Sequence, residues 1–558
     1  MHADPPTANS GQTPGSTAAA SAGAPASAAA PAPPAPSQIT THPLLAVLGV
    51  LLGALTSVFT GRLLSIGLAD MQGAIGAGSD AVSWVSTSYN AGSMFIGPLI
   101  VFLGGLLGPR RILLWASVVF MLSEFLSPFV ARNVGALIVL QFIAGLSAGT
   151  YYPLTMTVIV RNLPLKYVHL GIAAYSLDIL ASTHIATMVE AWYISNLSWQ
   201  WIFWNALLTT PLLMACIYWG VPRQPLPPSS SKTNLWGFLY ASLALTLIYG
   251  GLDQGERLDW FNSGVTNAFL ATGGLLTAVA IFRRLRKPNP LLNLRFLATR
   301  NFLLLGAVLV LFRFLLLAPT LLLPQFLSVL HGYRPDQTGP VLGWISLIEL
   351  IAAPIAGYLL YKVDSRLLCA LGFMLAGFTC FASSKIDPGW TGETFVATQI
   401  LNAIGIAFAL TGLVTSILRN ALALGALQSP ANMLSLSCWF QSCRLFGAEI
   451  GKTLLQRFLT VRGESHYSVL AQHIDGGSLT EERIKLLVNN LFSGGSGFDD
   501  ARTRAVLELA SSLKQQVVLL AISDGFVLIA ASAAVCMLIV GLITYAPPMV
   551  SIKKESTA

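Results

Sequence analysis

The sequence predicts an all-α protein that crosses a lipid bilayer about fourteen times, and its composition and long apolar stretches support that prediction. Apolar residues make up 54 % of the 558 residues, and charged residues make up only 10 %. A soluble domain carries about 25 % charged residues, so this chain cannot cover its surface with charge in water. Its solvent is therefore predicted to be lipid.

Fourteen apolar stretches are long enough to span the hydrocarbon core, which takes about 20 residues of α-helix. They lie near residues 43–66, 83–104, 112–131, 135–159, 168–193, 201–220, 234–251, 264–282, 302–323, 338–360, 366–384, 393–416, 428–457 and 515–545. An even number of spans places both chain ends on the same side of the membrane.

The distribution of basic residues predicts which side that is. The loops on one side carry seventeen basic residues: Arg110, Arg111, Arg161, Lys166, Arg223, Lys232, Arg283, Arg284, Arg286, Lys287, Arg295, Arg300, Lys362, Arg366, Arg419, Lys553 and Lys554. The short loops on the other side carry four: Arg132, Arg257, Arg334 and Lys385. Basic loops stay in the cytoplasm, so we expect both termini there. The net charge of +8 then reflects orientation in the membrane, and no nucleic acid is expected to bind.

Two related stretches predict that the chain contains a repeat. Gly-Gly-Leu-Leu-Gly-Pro-Arg-Arg at 104–111 follows the second span, and Gly-Tyr-Leu-Leu-Tyr-Lys-Val-Asp-Ser-Arg at 357–366 follows the tenth. Two six-helix halves of this kind hold a substrate site at their interface in secondary transporters. The predicted domains are a disordered cytoplasmic tail at 1–41, a first half at 42–222, an inserted helix pair with its loops at 223–288, a second half at 289–548 and a cytoplasmic tail at 549–558.

Several motifs resemble a known family. They are Leu-Asp-Gln-Gly-Glu-Arg-Leu-Asp-Trp-Phe-Asn-Ser at 252–263, Arg-Asn-Phe at 300–302 and Leu-Pro-Gln-Phe at 323–326. With these motifs the chain resembles the major facilitator superfamily, in its fourteen-helix drug:proton antiporter branch of the EmrB/QacA type, as a divergent member. The resemblance covers nearly the whole chain after residue 41. It implies the major facilitator fold with two inserted central helices, and transport by alternating access.

The sequence also departs from that family at positions that matter for proton coupling. Gly105 and Tyr361 stand where the loop signature carries an acid, and Gln141 replaces an arginine of the fourth span. Residues 186–191 lack the antiporter Gly-Pro signature, and Thr60 replaces the acid of the first span. The resemblance therefore leaves the proton-coupling residues unassigned.

Ionisable residues inside the spans are the candidates for function, because a charge at the bilayer centre costs about 2.5–3.5 kcal/mol. The candidates for proton coupling or for the substrate cavity are Asp178, Arg62, Gln141, Glu124, Glu190 and His184. Asp178 lies about 15 Å along the fifth span, near the midplane, and is our preferred coupling group. The alternative is a permanent pair with an arginine of another span.

The spacing on the fifth span excludes one kind of site. Asp178, His184 and Glu190 are six residues apart, so each step turns the helix by about 240° and the three side chains point in different directions. They cannot form a three-ligand metal site on this helix, and no metal is expected. Glu190 fits a solvated rim position, while Arg62 fits either an anionic substrate or a clamp on Glu124 or Asp178.

Other charges fit structural roles. Arg444 and Glu449 are expected to form a network with Lys452, and Arg313 is a candidate partner of Glu349. Asp524 is expected to cap a helix or to anchor a loop.

Two motifs typical of enzymes are excluded by their position. Gly145–Gly149 fits a nucleophile pattern, but it lies in an apolar span, where small residues favour close helix packing. Residues 447–453 resemble a phosphate-binding loop that is one residue short. We therefore predict that the chain is not an enzyme and has no cofactor, and we interpret its six cysteines as small core residues.

Residues 458–514 form a long polar segment on the predicted outer side, with short helices expected at 481–490 and 499–514. Long segments of this kind are often functional, and the resemblance makes this one a candidate docking site for a periplasmic adaptor. A lid or a solvated insertion is the alternative.

Three functions remain open from the sequence. The leading one is export of a small amphipathic or anionic compound, such as a drug, a siderophore or a toxic metabolite, by proton antiport across a bacterial inner membrane. The second is an uptake symporter or facilitator for an organic solute. The third is a membrane receptor or assembly partner that does not transport. The expected partners are a small-molecule substrate, protons and membrane lipid, and the expected state is a monomer.

Overall fold

The computed structural model describes residues 42–164, 167–222, 235–285, 294–426, 430–472, 478–493 and 498–545. The predicted tails at 1–41 and 549–558 lie outside these ranges. Within the described residues every regular element is helical, which confirms the all-α prediction.

The helices follow one another along the chain with short connections. They are α1 (Pro43–Ile66), α2 (Leu68–Ile75), α3 (Ser79–Leu107), α4 (Pro109–Val130), α5 (Val134–Ala148), α6 (Tyr151–Asn162), α7 (Val168–Asn196), α8 (Trp201–Gly220), α9 (Leu235–Gly255), α10 (Gly264–Leu285), α11 (Leu294–Leu297), α12 (Arg300–Leu315), α13 (Leu323–His331), α14 (Pro335–Leu359), α15 (Ser365–Ser383), α16 (Val396–Ala423), α17 (Pro430–Gln472), α18 (Ser478–Ser493) and α19 (Phe498–Leu542), with a 3-10 turn at Trp260–Asn262 and a π-helical turn at Ala318–Leu322.

Eleven helical stretches of the described chain are long and apolar enough to cross a membrane. The long helices α3, α9 and α17 occupy the positions of the three other predicted spans. The structure thus confirms a polytopic helical membrane protein, while the count of fourteen crossings stays a prediction. The predicted fourth span is divided into α5 and α6, and the ninth contains the π-helical turn between α12 and α13.

Helix α7 packs along helix α14, and this contact joins the first half of the chain to the second. The two helices run antiparallel, since Met188 lies against Gly339 and Gly343 while Ala173 lies against Gly357. Glycine at these three positions lets the two backbones approach closely, as is common between membrane helices.

Helix α9 of the inserted pair contacts α3 of the first half and α17 of the second. Its partner α10 packs mainly on α9. The inserted pair is therefore part of the contact between the halves on the side opposite to the α7–α14 contact.

At the end of the bundle where α1 begins, which we call the closed end, apolar side chains of both halves pack into one cluster. Ile159 and Ile172 of the first half belong to the same cluster as Leu418 of the second half. The rings of Tyr152 and Tyr175 lie 5.5 Å apart, and Tyr175 lies 6.1 Å from the ring of Phe440. These contacts close the space between the halves at this end.

Helices α3 and α5 cross with their backbones in contact. A Cβ atom at Gly145 would overlap the backbone carbonyl of Tyr89, and one at Gly149 would lie 2.7 Å from the Cα of Ser93. The sequence-based interpretation of Gly145–Gly149 as a packing motif is confirmed.

We expect the substitution Gly145→Leu to prevent this helix crossing, so that the protein does not fold. The measurement is the yield of monodisperse protein in size-exclusion chromatography after extraction in a mild detergent. Gly274→Leu is the matched control, because nothing lies within 4 Å of a Cβ at Gly274. A normal yield for the Gly145→Leu variant would contradict the backbone contact.

Helices α17 and α19 contain 43 and 45 residues, so each is about 65 Å long, more than twice the length of a span. Their ends nearest residue 472 and residue 498 extend past the bundle, and α18 packs on α19 through Val488, Ala501 and Ala505. Residues 481–490 are helical as predicted. Residues 499–514 are not a separate short helix, because they continue into the last apolar stretch as one helix.

Asp524 joins these two long helices. Its Oδ2 accepts hydrogen bonds from Arg462 Nε at 2.6 Å and from His466 Nε2 at 2.7 Å. Asp524 lies on α19 and its two partners on α17, so its structural role is to hold the helices together rather than to cap one.

Candidate functional site

A cavity of about 960 Å³ opens between the halves at the end opposite to the closed end. We call it the vestibule, and we call that end the vestibule end. Its walls come from α1, α3, α7, α9, α13, α14, α17 and α19. Such a volume lies in the range of about 300–1,000 Å³ that holds a drug-sized ligand.

The floor of the vestibule carries two carboxylates that share one lysine. Lys452 Nζ lies 3.0 Å from Asp253 Oδ1 and 3.3 Å from Glu449 Oε1. The two carboxyl groups also lie within hydrogen-bonding distance of each other. The Lys452 side chain is 40 % exposed, whereas that of Glu449 is 7 % exposed. We call Asp253, Glu449 and Lys452 the acid–lysine cluster.

Neighbouring polar groups hold this cluster in place. The Thr87 hydroxyl donates to Asp253 Oδ2, and Gln254 Nε2 donates to Thr87 Oγ1 at 2.6 Å. The Tyr249 hydroxyl donates to Glu449 Oε2 at 3.2 Å. The hydrogen bonds connect α3, α9 and α17, so a change of charge in the cluster acts on both halves and on the inserted pair.

The sequence does not predict Asp253 as a site residue, and it predicts Glu449 only as part of a structural network. The apolar stretch ends at residue 251 and so predicts a loop at Asp253, but α9 continues to Gly255 and carries Asp253 into the vestibule. Its partner Lys452 is 199 residues away, a distance that no local pattern bridges. The expected Glu449–Lys452 contact forms. Among the described residues Arg444 forms no ion pair with Glu449; its Nε donates to Gln441 Oε1 at 3.2 Å.

Three arginines lie deeper in the bundle than the acid–lysine cluster. The guanidinium carbon of Arg444 lies 3.9 Å above the ring centre of Tyr152. Arg313 packs across Gly447, one helical turn from Arg444, and lies within electrostatic range of both Arg444 and Arg62. We call Arg62, Arg313 and Arg444 the arginine cluster.

Asp178 lies beside this cluster, in electrostatic range of Arg444 and Tyr152. Its side chain is buried, and its Oδ2 has no hydrogen-bond partner among the described residues. The structure places no permanent ion pair on Asp178 within the described chain. The expected clamp of Arg62 on Asp178 or Glu124 is also absent there.

Glu124 and Gln141 contact each other inside the first half. Gln141 Nε2 donates to Glu124 Oε2 at 3.3 Å and to Ser127 Oγ at 2.9 Å. Both side chains are completely buried and neither lines the vestibule. Their contact joins α4 to α5.

Glu190 lies near one end of α7 with its carboxyl group within hydrogen-bonding distance of Asp70 on α2. Its exposed fraction is 0 %, so the expectation of a solvated rim position is wrong. The short helix α2, which the sequence did not predict, covers it.

His184 and Glu349 form a contact between the halves. His184 Nδ1 lies 3.1 Å from Glu349 Oε2, and both side chains are 0 % exposed. The expected pair of Arg313 and Glu349 is therefore wrong. Glu349 faces α7 across the α7–α14 contact, whereas Arg313 faces α17.

Within the described residues no group of three metal-ligand side chains is close enough to hold an ion. A helical membrane bundle with a vestibule between two halves, sealed at one end and carrying paired charges on its floor, defines the class of secondary transporters.

The comparisons with known proteins give the family. Residues 50–451 match the sequence model of the Major Facilitator Superfamily, so the chain belongs to that superfamily. It is a transporter and not an enzyme.

The chain is similar over most of its length to a multidrug export protein and to a fatty acid resistance protein. It is 22 % identical to the multidrug export protein EmrB of Escherichia coli (strain K12), over 89 % of this chain and 94 % of the relative. It is 23 % identical to the fatty acid resistance protein FarB of Neisseria gonorrhoeae, over 74 % of this chain and 79 % of the relative. These similarities make it a divergent member of the EmrB type.

Solved structures share the fold. The proton:xylose symporter XylE superposes with a TM-score of 0.55 at 12 % identity, covering 90 % of this chain and 96 % of that one. The human organic anion transporter MFSD10 superposes with a TM-score of 0.53 at 12 % identity, covering 89 % and 99 %.

Proposed function

We propose that this protein exports a small amphipathic or anionic compound by alternating access, coupled to inward movement of protons. The observation that carries the proposal is the vestibule, which is open at one end and has the acid–lysine cluster on its floor. The similarity to relatives named as multidrug and fatty acid resistance proteins supports the direction of transport.

The orientation follows from the basic residues. Arg110, Arg111, Lys362, Arg366 and Arg419 lie at the closed end, and basic residues stay on the cytoplasmic side. The closed end then faces the cytoplasm together with both termini, and the vestibule opens to the periplasm of a bacterial inner membrane. The conformation is outward-open.

The acid–lysine cluster is the proposed proton site. Two carboxyl groups in contact cannot both stay ionised unless enough positive charge balances them. Lys452 balances one of them, so the other holds a proton that water in the vestibule can exchange. Asp178 is the second proposed coupling group. It lies deeper and has no fixed partner among the described residues, so a proton or an arginine can neutralise it in turn.

The helical extension formed by the described residues 458–472, 478–493 and 498–514 is a proposed docking site for a periplasmic adaptor. Tyr467, Leu486 and Leu507 are each more than half exposed there, although they lie outside the apolar spans. Replacing residues 478–493 by a Gly/Ser linker is expected to abolish the resistance of intact cells to the exported compound. Transport by the purified protein is expected to stay unchanged. Loss of both activities would contradict docking and indicate a role in the transport cycle itself.

Transport into membrane vesicles of defined orientation tests the direction. Inside-out vesicles that contain the protein and are energised by respiration are expected to accumulate a labelled amphipathic anion, and a protonophore is expected to release it. Vesicles from cells that lack the protein serve as the control for passive uptake of the anion. Accumulation only in right-side-out vesicles would instead establish an uptake transporter, and accumulation in neither would favour a protein that does not transport.

A further inference from the structure

The arginine cluster brings three positive charges from separate helices to one place in the interior. Arg62 lies on α1, Arg313 on α12 and Arg444 on α17, so both halves contribute. The charges of Arg62 and Arg444 act electrostatically on the guanidinium group of Arg313. Like charges in a low-dielectric interior repel strongly, so this arrangement needs a compensating negative charge.

The described chain supplies too little negative charge to the cluster. Asp178 acts electrostatically on Arg444. Among the described residues, the ion pairs include none of the three arginines. The Nε atoms of Arg62 and Arg313 have no hydrogen-bond partner in the described part of the chain. Arginine offers planar, paired donors that fit carboxylate, sulfate and phosphate groups. The unpaired donors therefore fit an anionic ligand.

The cluster lies close below the floor of the vestibule. Ser65 lies about one turn beyond Arg62 on α1, and Lys452 lies about two turns beyond Arg444 on α17. Both Ser65 and Lys452 line the vestibule. Arg62 and Arg313 keep part of their surface accessible although other helices surround them. The arginines thus lie about 5–12 Å below the vestibule floor.

Above the arginines, part of the vestibule wall is apolar. Leu321, Pro324, Leu459, Val518 and Ile522 line it and come from the second half of the chain. A ligand with a negative headgroup on the arginines can therefore place an apolar chain against this wall.

We propose that Arg62, Arg313 and Arg444 bind the anionic headgroup of a single-chain amphiphilic substrate, whose apolar part lies in the vestibule. The proposal rests on the proposed export function and narrows its substrate from amphipathic compounds in general to organic anions. A lipophilic cation is excluded as a substrate, because the positive charge of the arginine cluster would repel it.

Equilibrium binding tests this assignment without any ion gradient. The full chain is purified in a neutral maltoside detergent and titrated calorimetrically with decyl sulfate, decanoate and decyltrimethylammonium, which share an apolar chain and differ in headgroup. We expect both anions to bind and the cation to bind at least about 10-fold more weakly. Tighter binding of the cation would overturn the proposal.

Variants identify the binding residues. Each of Arg62→Gln, Arg313→Gln and Arg444→Gln is expected to weaken binding of decyl sulfate at least about 10-fold, as loss of a charged hydrogen bond does. The Arg→Lys variants keep the charge and are expected to recover part of the affinity, which excludes misfolding as the cause. Arg257→Gln is the matched control, because Arg257 lines the vestibule but pairs with Asp80 at 3.1 Å. Unchanged affinity in all three Gln variants would overturn the proposal.

Three further outcomes separate the possible ligands and the two proposals. If phosphatidylglycerol in the micelle displaces decyl sulfate at equal concentration, the site holds a membrane lipid and the substrate assignment is wrong. If the anions bind through the arginines but are not transported, the export function fails while the binding site stands. If they are transported but the Gln variants bind normally, the export function stands and the binding site fails.

Discussion

Replacing Lys452 by methionine is expected to abolish proton-coupled export. Methionine keeps the length of the side chain but removes the one cation that balances Asp253 and Glu449. The two carboxyl groups then keep at least one proton between them in all states, because two adjacent carboxylates cannot stay ionised together. Proton release to the vestibule stops, and we expect no accumulation of substrate in energised inside-out vesicles.

The same substitution is expected to destabilise the protein. Breaking a fully buried ion pair costs about 3–5 kcal/mol, and partial exposure of Lys452 lowers the expected cost to about 2 kcal/mol. The double variant Lys452→Met with Asp253→Asn removes one acid together with the lysine. It is expected to recover the melting temperature but not transport. Normal transport by the Lys452→Met variant would show that the acid–lysine cluster has no role in proton coupling.

Replacing His184 by leucine keeps the side-chain volume similar. Among substitutions of this kind, we expect it to cause the largest loss of folding stability. Glu349 would then be completely buried at the α7–α14 contact without its partner, which lies 3.1 Å away in the native protein. An unpaired buried acid costs about 3 kcal/mol or more. We expect a lower melting temperature of the purified protein, measured by tryptophan fluorescence during heating.

A double-variant cycle separates the pair from general disruption of packing. Because His184→Leu with Glu349→Leu removes both polar groups, it is expected to be more stable than either single variant. His184→Leu and Ser346→Ala are expected to combine additively, since Ser346 lies on the same helix as Glu349 but has no hydrogen bond to His184. Additive effects of His184→Leu and Glu349→Leu would show that the pair contributes no coupling energy.

Composition and apolar stretches predict the membrane class and the helices because each span depends on local sequence alone. The positions of α1, α7 and α16 follow directly from runs of apolar residues. The length of a helix outside the membrane cannot be predicted from runs of apolar residues. The first part of α19 is polar, and its sequence predicts a separate short helix. In the structure this part continues without a break into the apolar stretch.

The candidate site could be predicted only in part. Arg62 and Asp178 were recognisable because a charge in an apolar stretch is costly wherever the helix packs. Which charges meet depends on the rotation and depth of each helix, and these are set by packing at glycines such as Gly339 and Gly447. That is why His184 rather than Arg313 contacts Glu349, and why the convergence of three arginines was not visible in the sequence.

In the proposed transport cycle, substrate and protons move in opposite directions through the same vestibule. Proteoliposomes that hold an internal pH dye, with the membrane potential clamped by valinomycin and potassium, test it most directly. Decyl sulfate is the probe, because its headgroup stays ionised and does not carry protons across the lipid. Wild-type protein is compared with the Asp178→Asn and Glu449→Gln variants.

Addition of decyl sulfate to the wild-type proteoliposomes is expected to raise the luminal pH as protons leave the lumen in exchange for the anion. Both variants are expected to lose this signal while still binding decyl sulfate. Movement of labelled decyl sulfate without any pH change, in the wild type and in both variants alike, would contradict proton antiport and leave a facilitator.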